Sequence, residues 1–274
     1  MRMGTAGILI DPELGLRKHG KAAANLMWQL RDNFGVTSRP IPRGLGIYIR
    51  AVDMKKIDLL VNKLKAAGIR WAAVATTWQE RNSQRWINDP TRCHKIQEIL
   101  EQNEIEPHIW GYPWWNAVGS FVQELSKCVY PSTVLRRGDL NIGFTSYGSY
   151  VSDFPWNDFA KPKVFNQTME CDYGSPQLYE ATPEQIIRGM DKYDQLGFNF
   201  IIPSYGLYKT IIVDGKKTYR SKTPKELEEH FMAFVQSDIP ITSMIGWADN
   251  FIKPNIIPIL AKWSKLIDRG ITTL

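Results

Sequence analysis

Short apolar runs alternate with segments of helical periodicity along the chain, eight times over. The first run, Gly7–Asp11, precedes an amphipathic stretch over Lys21–Asn33, where Ala23, Leu26, Met27 and Leu30 share one face. Gly46–Arg50 precedes Met54–Ala67. There Ile57, Leu60, Val61 and Leu64 recur at helical spacing, and Gly68 stands just beyond as a C-cap. The pattern continues with Trp71–Thr77 before Thr91–Asn103, His108–Tyr112 before Val118–Val129, and Leu140–Tyr147 before a long loop. Ser175–Tyr179 leads to a helix with Thr182 as N-cap, Pro183 in its first turn and Gly197 at its end. Phe200–Tyr205 leads to Pro224–Gln236, and Ile241–Trp247 leads to Ile256–Asp268.

Strict strand–helix alternation predicts parallel strands. Eight such units in 274 residues predict an α/β fold of the (β/α)8 TIM-barrel type, one domain over residues 1–274. The alternative is an open doubly wound sheet. No strand is followed by a GxGxxG or GxxxxGK[ST] turn, so the usual nucleotide sites of that class are missing.

In a barrel, function collects at the C-terminal strand ends. Those ends carry Asp11 and Glu13; Arg50 and Asp53; Trp78 and Glu80; Trp110, Tyr112, Trp114 and Trp115; Ser146 and Tyr147; Gln177, Tyr179 and Glu180; Ser204 and Tyr205; and Trp247, Asp249 and Asn250. Nearly every end offers a ring, a carboxylate or both. Pyranose rings stack their C–H faces on Trp and Tyr, and their hydroxyls need acceptors. The set Trp78, Trp110, Tyr112, Trp114, Tyr147, Gln177, Tyr179, Tyr205, Trp247 and Asp249 therefore reads as a saccharide-binding surface. The competing account is that these rings only cap the barrel core.

Composition sharpens this. The chain has ten Trp, eleven Tyr and eleven Phe, a heavy load of rings whose indole N–H and phenol groups need partners when buried. Trp28, Trp71 and Trp263 fall where helix or strand packing is the simpler explanation. With 43% hydrophobic and 23% charged residues, disorder is excluded. Three cysteines, Cys93, Cys128 and Cys171, form neither a closed set of bridges nor a CxxC zinc spacing. The net charge of +6 is dispersed and reads as solubility. Its other reading is weak attraction to an anionic polymer such as nucleic acid or a bacterial wall polymer. A nucleic-acid partner is not expected. No run approaches the ~18–20 apolar residues of a membrane span, and the N-terminus lacks the apolar core of a secretory signal. Synthesis in the cytoplasm is the expectation.

Asp11 and Glu13 lie two apart on a strand, so they point to one side. Glycosidic cleavage needs a proton donor to the leaving oxygen and a group that stabilises the oxocarbenium-like centre. Glu13 is the better acid, because it reaches further and aromatic neighbours raise a carboxyl pKa. Asp11 then stays ionised as its partner. The plain alternative is a solvated loop pair. His19, His94, His108 and His230 are scattered, with His108 beside Glu106 in a structural role. Neither HExxH nor GxSxG occurs, so no metal and no cofactor are expected.

Gly7–Glu13, Ile109–Trp114, Gly143–Tyr147 with the later Phe154-Pro-Trp156, and Ser175–Tyr179 resemble glycoside-hydrolase-like TIM barrels, in style the lysozyme-type muramidases of glycoside hydrolase family 25. The resemblance implies a wall-degrading O-glycosidase with Glu13 as acid and Asp11 as partner. It implies saccharide contacts at Tyr147, Gln177, Tyr179 and Trp247, a peptidoglycan substrate, and a phage or bacterial setting in which the protein acts on the cell wall. One departure stands out. In those barrels the D-x-E strand lies mid-barrel, and here it is at the N-terminus. Either the strands follow one another in chain order, or residues 1–36 insert between the strands ending at Tyr112 and Tyr147. The connections 36–43 and 130–139 can each span ~25–30 Å at ~3.3 Å per residue, so both arrangements are open. Two rival functions remain: a non-catalytic carbohydrate-binding barrel in a virion or wall context, and a sugar-phosphate enzyme. The second ranks lower, because Asp249 would oppose a phosphate.

Overall fold

The computed structural model describes residues 5–10, 20–34, 41–50, 54–79, 85–87, 89–112, 118–130, 140–147, 171–195, 197–198 and 200–271. In chain order the elements are β1 (Gly7–Ile10), α1 (Gly20–Phe34), β2 (Gly44–Ile49), α2 (Ile57–Ala66), β3 (Ile69–Gln79), β4 (Arg85–Ile87) and α3 (Pro90–Gln102). There follow β5 (Glu106–Gly111), α4 (Val118–Cys128), β6 (Asn141–Tyr147), β7 (Tyr173–Gln177), α5 (Pro183–Gln195) and β8 (Ser204–Gly206). The last are β9 (Tyr208–Val213), β10 (Lys216–Ser221), α6 (Pro224–Val235), β11 (Ser243–Trp247) and α7 (Ile257–Asp268). Among the described residues, no helix is long and apolar enough to cross a membrane.

Eight parallel strands close into a barrel in the order β2–β3–β5–β1–β6–β7–β8–β11, and β11 pairs back onto β2. The expected (β/α)8 architecture is the observed one, with helices layered outside the strands. The N-terminal strand is the inserted one. Leu9 stands opposite Trp110 of β5 on one side and Gly143 of β6 on the other. Of the two arrangements open to the sequence, the rearranged barrel is realised.

Contacts at the foot of β1 fix it there. The Ala6 N–H donates to the Pro107 carbonyl at 2.7 Å, and the Asn141 N–H donates to Ala6 at 3.3 Å. The Thr5 hydroxyl donates to Gln97 of α3 and accepts the Tyr130 N–H. Gln97 in turn donates to the carbonyls of Cys93 and Cys128, so α3, α4 and the strand share one polar joint. Alternation does the rest. Ile8 and Ile10 pack into the outer core under the helices, and Leu9 packs inside the barrel.

The barrel interior holds Leu9, Tyr48, Trp71, Ala73, Ala75, Trp110, Tyr173, Ile202 and Ile245, with Ile41 packed against them just ahead of β2. Bulky rings here sit over inward positions that lack a side chain. The Trp71 ring lies over Gly46 and donates its indole N–H to the Gly44 carbonyl at 3.2 Å. The Tyr173 ring lies over Gly143. Above Gly7 is the imidazole of His108, which bonds Glu106 at 2.8 Å and lies 5.1 Å, centroid to centroid, from Trp71.

Several features depart from the sequence reading. Segment 208–221, read as a connection, is an antiparallel hairpin. Its Asp214-Gly215 turn has positive φ at both residues, 51° and 73°, which is the twist a two-residue hairpin turn needs. β3 runs on past the barrel and pairs with the unexpected β4. β8 shrinks to three residues because Pro203, just before it, has no N–H for the ladder. Trp28 is 67% exposed, since the buried stripe of α1 is Leu26, Leu30 and Phe34 and Trp28 falls off it. Trp71 and Trp263 are buried as expected.

Gly143→Ala should be destabilising by about 1–3 kcal/mol, because its new methyl meets the Tyr173 ring in a filled interior. Gly119→Ala, at an exposed position of α4 with its nearest neighbour at 3.6 Å, should be neutral or slightly stabilising. Urea midpoints of the two variants test this, and equal effects would contradict the account of the interior.

Candidate functional site at the barrel mouth

Inward-facing residues near the C-terminal strand ends form an aromatic floor. Trp110 of β5 and Trp247 of β11 meet edge-on at 5.5 Å between centroids. Tyr48 of β2 fills the angle between them, 5.7 Å from Trp110 and 5.2 Å from Trp247. Tyr179, two residues past β7, lies nearly parallel to Trp247 at 5.8 Å and 25°. The Arg50 guanidinium sits 5.4 Å over the Trp247 ring, close enough for a cation–π contact. From Tyr179 the rings continue outward to Tyr208 at 6.3 Å, and from there to Tyr219 at 5.3 Å on the hairpin.

The polar part of the mouth lies beside these rings. Gln177 is buried at the end of β7. On the same strand, lower down, Ser175 shares a 2.8 Å hydroxyl contact with Ser204 of β8. Asp249 follows Trp247 by two residues and is half-buried. Burial pushes its carboxyl up to about 6, against the opposing pull of the Arg50 amide and charge and of the amides of Asp249 and Asn250. It therefore changes charge in the range where a saccharide hydroxyl could use it as acceptor or donor.

The residues singled out in the sequence divide three ways. Trp110, Tyr179 and Trp247 meet through their rings, and Tyr112, Gln177 and Asp249 lie at or just past the ends of β5, β7 and β11. Trp78 and Tyr147 lie on β3 and β6, with only their backbone among the described atoms, and Asp11, Glu13 and Trp114 lie outside the described residues. Tyr205 faces the other way. It is fully buried between β8 and α6, with its ring 4.9 Å from Phe231, so its face is spent on packing and is closed to a saccharide.

Two contributors escaped the sequence reading. Tyr48 was legible in principle, since two-residue alternation from Arg50 at the strand end puts it on the inner face. Tyr208 was legible through the Asp214-Gly215 turn, which announces a hairpin beside the mouth. Among the described residues, no group of three His, Cys, Asp or Glu side chains is placed to hold a metal ion.

No family model matches the chain, and no curated protein matches it in sequence. Solved structures do match it in fold. The spore cortex-lytic enzyme SleL from Bacillus cereus superposes with a TM-score of 0.58 at 10% identity, over 81% of this chain and 74% of that one. SleL from Bacillus megaterium gives 0.52 at 9% identity, over 91% and 83%. The catalytic domain of a hyperthermophilic chitinase from Pyrococcus furiosus gives 0.50 at 12% identity, over 77% and 85%. At such identities the similarity is one of fold.

Asp249 makes a pH signature testable. In the unfolded chain an aspartate loses its proton near its ordinary value of ~4. The folded protein holds that proton to about 6, so Asp249 lowers stability progressively as pH rises across this window. Asp249→Asn should therefore gain about 1–2 kcal/mol relative to wild type between pH ~4 and pH ~7, after allowance for partial exposure. Paired denaturation curves at the two pH values measure it, and a pH-independent difference would refute the shift.

Proposed function

We propose that this barrel is an O-glycosidase acting on a bacterial polysaccharide, most concretely peptidoglycan, with Glu13 as general acid and Asp11 as its ionised partner. The observation that carries the reading is the position of β1. The strand leading into the D-x-E pair stands between β5 and β6, with Leu9 turned inward and registered against Trp110 of the aromatic floor. Asp11 and Glu13 follow this strand in the sequence at a spacing of two, the spacing that turns strand side chains to one side, and both lie outside the described residues. A general acid requires a carboxyl that keeps its proton, and aromatic neighbours favour that form.

Trp247 presents a partly open ring for stacking, backed by Tyr179, and Asp249 presents a half-buried carboxyl to hydroxyls. A barrel shared with a cortex-lytic enzyme and a chitinase supports a polymeric glycan as substrate. Within that class we favour a muramidase-type cut, on the family 25 resemblance of the strand motifs.

Purified peptidoglycan sacculi test the reading, with chitin as a second substrate. Wild type should release reducing ends. Glu13→Gln should lose at least ~10²-fold in rate, as expected for a general acid, and still sediment with the polymer. A muramidase-type cut leaves muramic acid at the new reducing end, and a glucosamine end would replace that assignment with a glucosaminidase. Binding to sacculi without turnover by wild type would sink the enzymatic reading and leave a carbohydrate-binding barrel.

A further inference from the structure

A cavity lies between the start of α5 and α6, beginning one residue after Tyr179. It measures about 370 Å³, within the lower range of small-ligand sites. Glu180, Ala181 and the start of α5 (Thr182, Pro183, Ile186) form one side. Glu226, Glu229, His230 and Ala233 of α6 form the other, and Lys209 of the hairpin and Lys222 complete it. Lys222 is only 5% exposed.

The surroundings of that amine are unusual. Its Nζ donates to the Tyr179 carbonyl at 2.9 Å and lies 2.7 Å from His230 Nδ1. Nearby carboxylates are committed elsewhere. Glu226 is gripped by Arg220 at 2.6 and 2.7 Å and by Lys209 at 3.1 Å. Glu180 accepts from the Thr210 amide and, at 2.7 Å, from its hydroxyl. Glu229 turns to Lys225 at the surface. Lys222 thus faces a carbonyl and an imidazole, both neutral. Burial pushes its pKa down to about 7, and burial together with the Lys222 charge pushes His230 down as well.

We propose that this cavity is a ligand site in which Lys222 acts as a nucleophile and holds a small aldehyde or ketone as an imine. The lining decides the class of ligand. The glutamates of the wall are already partnered, while Ala181, Pro183, Ile186 and Ala233 offer an apolar bed to an uncharged carbonyl compound. The step is a condensation. The Nζ lone pair forms a C–N bond to the carbonyl carbon, the carbonyl oxygen leaves as water with the two amine hydrogens, and a C=N bond remains. His230 Nδ1 is placed to take a proton from Nζ and return it to the departing oxygen. No oxidant or reductant is consumed.

Butanal with sodium cyanoborohydride at pH 7 provides the test, because the hydride fixes any imine as a secondary amine that peptide mass mapping can locate. Lys265, exposed on α7 and away from the cavity lining, is the internal reference. With its pKa pushed down to about 7, Lys222 holds a large neutral fraction at pH 7, whereas an ordinary lysine is neutral to less than about one part in a thousand. Lys222 should label at least tenfold faster than Lys265. Glu229→Trp places a bulky ring at the exposed rim without touching the core, and should cut Lys222 labelling several-fold while leaving Lys265 unchanged. Labelling of Lys222 no faster than Lys265, or unaffected by Glu229→Trp, would overturn the proposal. Either result leaves the glycosidase reading untouched, since the mouth residues are not probed.

Discussion

The ladder that seats β1 between β5 and β6 is the constraint on which the rest of the barrel depends. Without it β5 and β6 would each present an open edge of unpaired N–H and C=O groups. Four residues fill that gap, pairing on both sides along their whole length. Ile8, Leu9 and Ile10 are buried, so the strand contributes apolar area to the inner and outer cores at once. Burial of each such side chain is worth roughly 1.5–3 kcal/mol, a large share of the ~5–15 kcal/mol that separates folded from unfolded chains. The polar joint of Thr5, Gln97 and Tyr130 then prevents a slip of register, which would turn Leu9 outward and both isoleucines into the interior.

Filling a ring of this size requires large side chains, and the chain distributes them by depth. Low in the barrel, Trp71 and Tyr173 lie across glycine positions of neighbouring strands, so ring volume on one strand is matched by an absent side chain on the next. Higher up, Trp110, Trp247 and Tyr48 meet edge to face, with Trp110 and Tyr48 buried and Trp247 partly open. The same residue type thus seals the barrel below and, at Trp247, reaches the opening above. What separates the two roles is height along the strand, which explains why a count of tryptophans alone could not separate them.

The fold was legible because strand–helix alternation carries both element type and parallel pairing. The place of β1 was not, because periodicity reports which side of a strand is buried and is silent on its neighbours. Six of the mouth residues, Trp110, Tyr112, Gln177, Tyr179, Trp247 and Asp249, could be read as strand-end residues. Tyr205 illustrates the limit of that reading. Pro203 shortens β8, and the residue that faces inward there is Ser204, so the more eye-catching neighbour belongs to the helix interface. The hairpin over 208–221 is signalled only by its Asp-Gly turn between alternating residues, because an antiparallel insertion leaves the strand–helix alternation around it unchanged.

That insertion joins two parts of the molecule that the barrel alone would keep apart. Tyr208 at its base continues the aromatic row from Tyr179, and Thr210 and Lys209 bind Glu180 and Glu226 at the cavity between α5 and α6. Tyr179 itself serves both places: its ring lies against Trp247 in the mouth, and its carbonyl receives the ammonium of Lys222. The strand end after β7 is therefore a shared wall, with the ring of one tyrosine packed on the mouth side and its carbonyl satisfying a buried amine on the other.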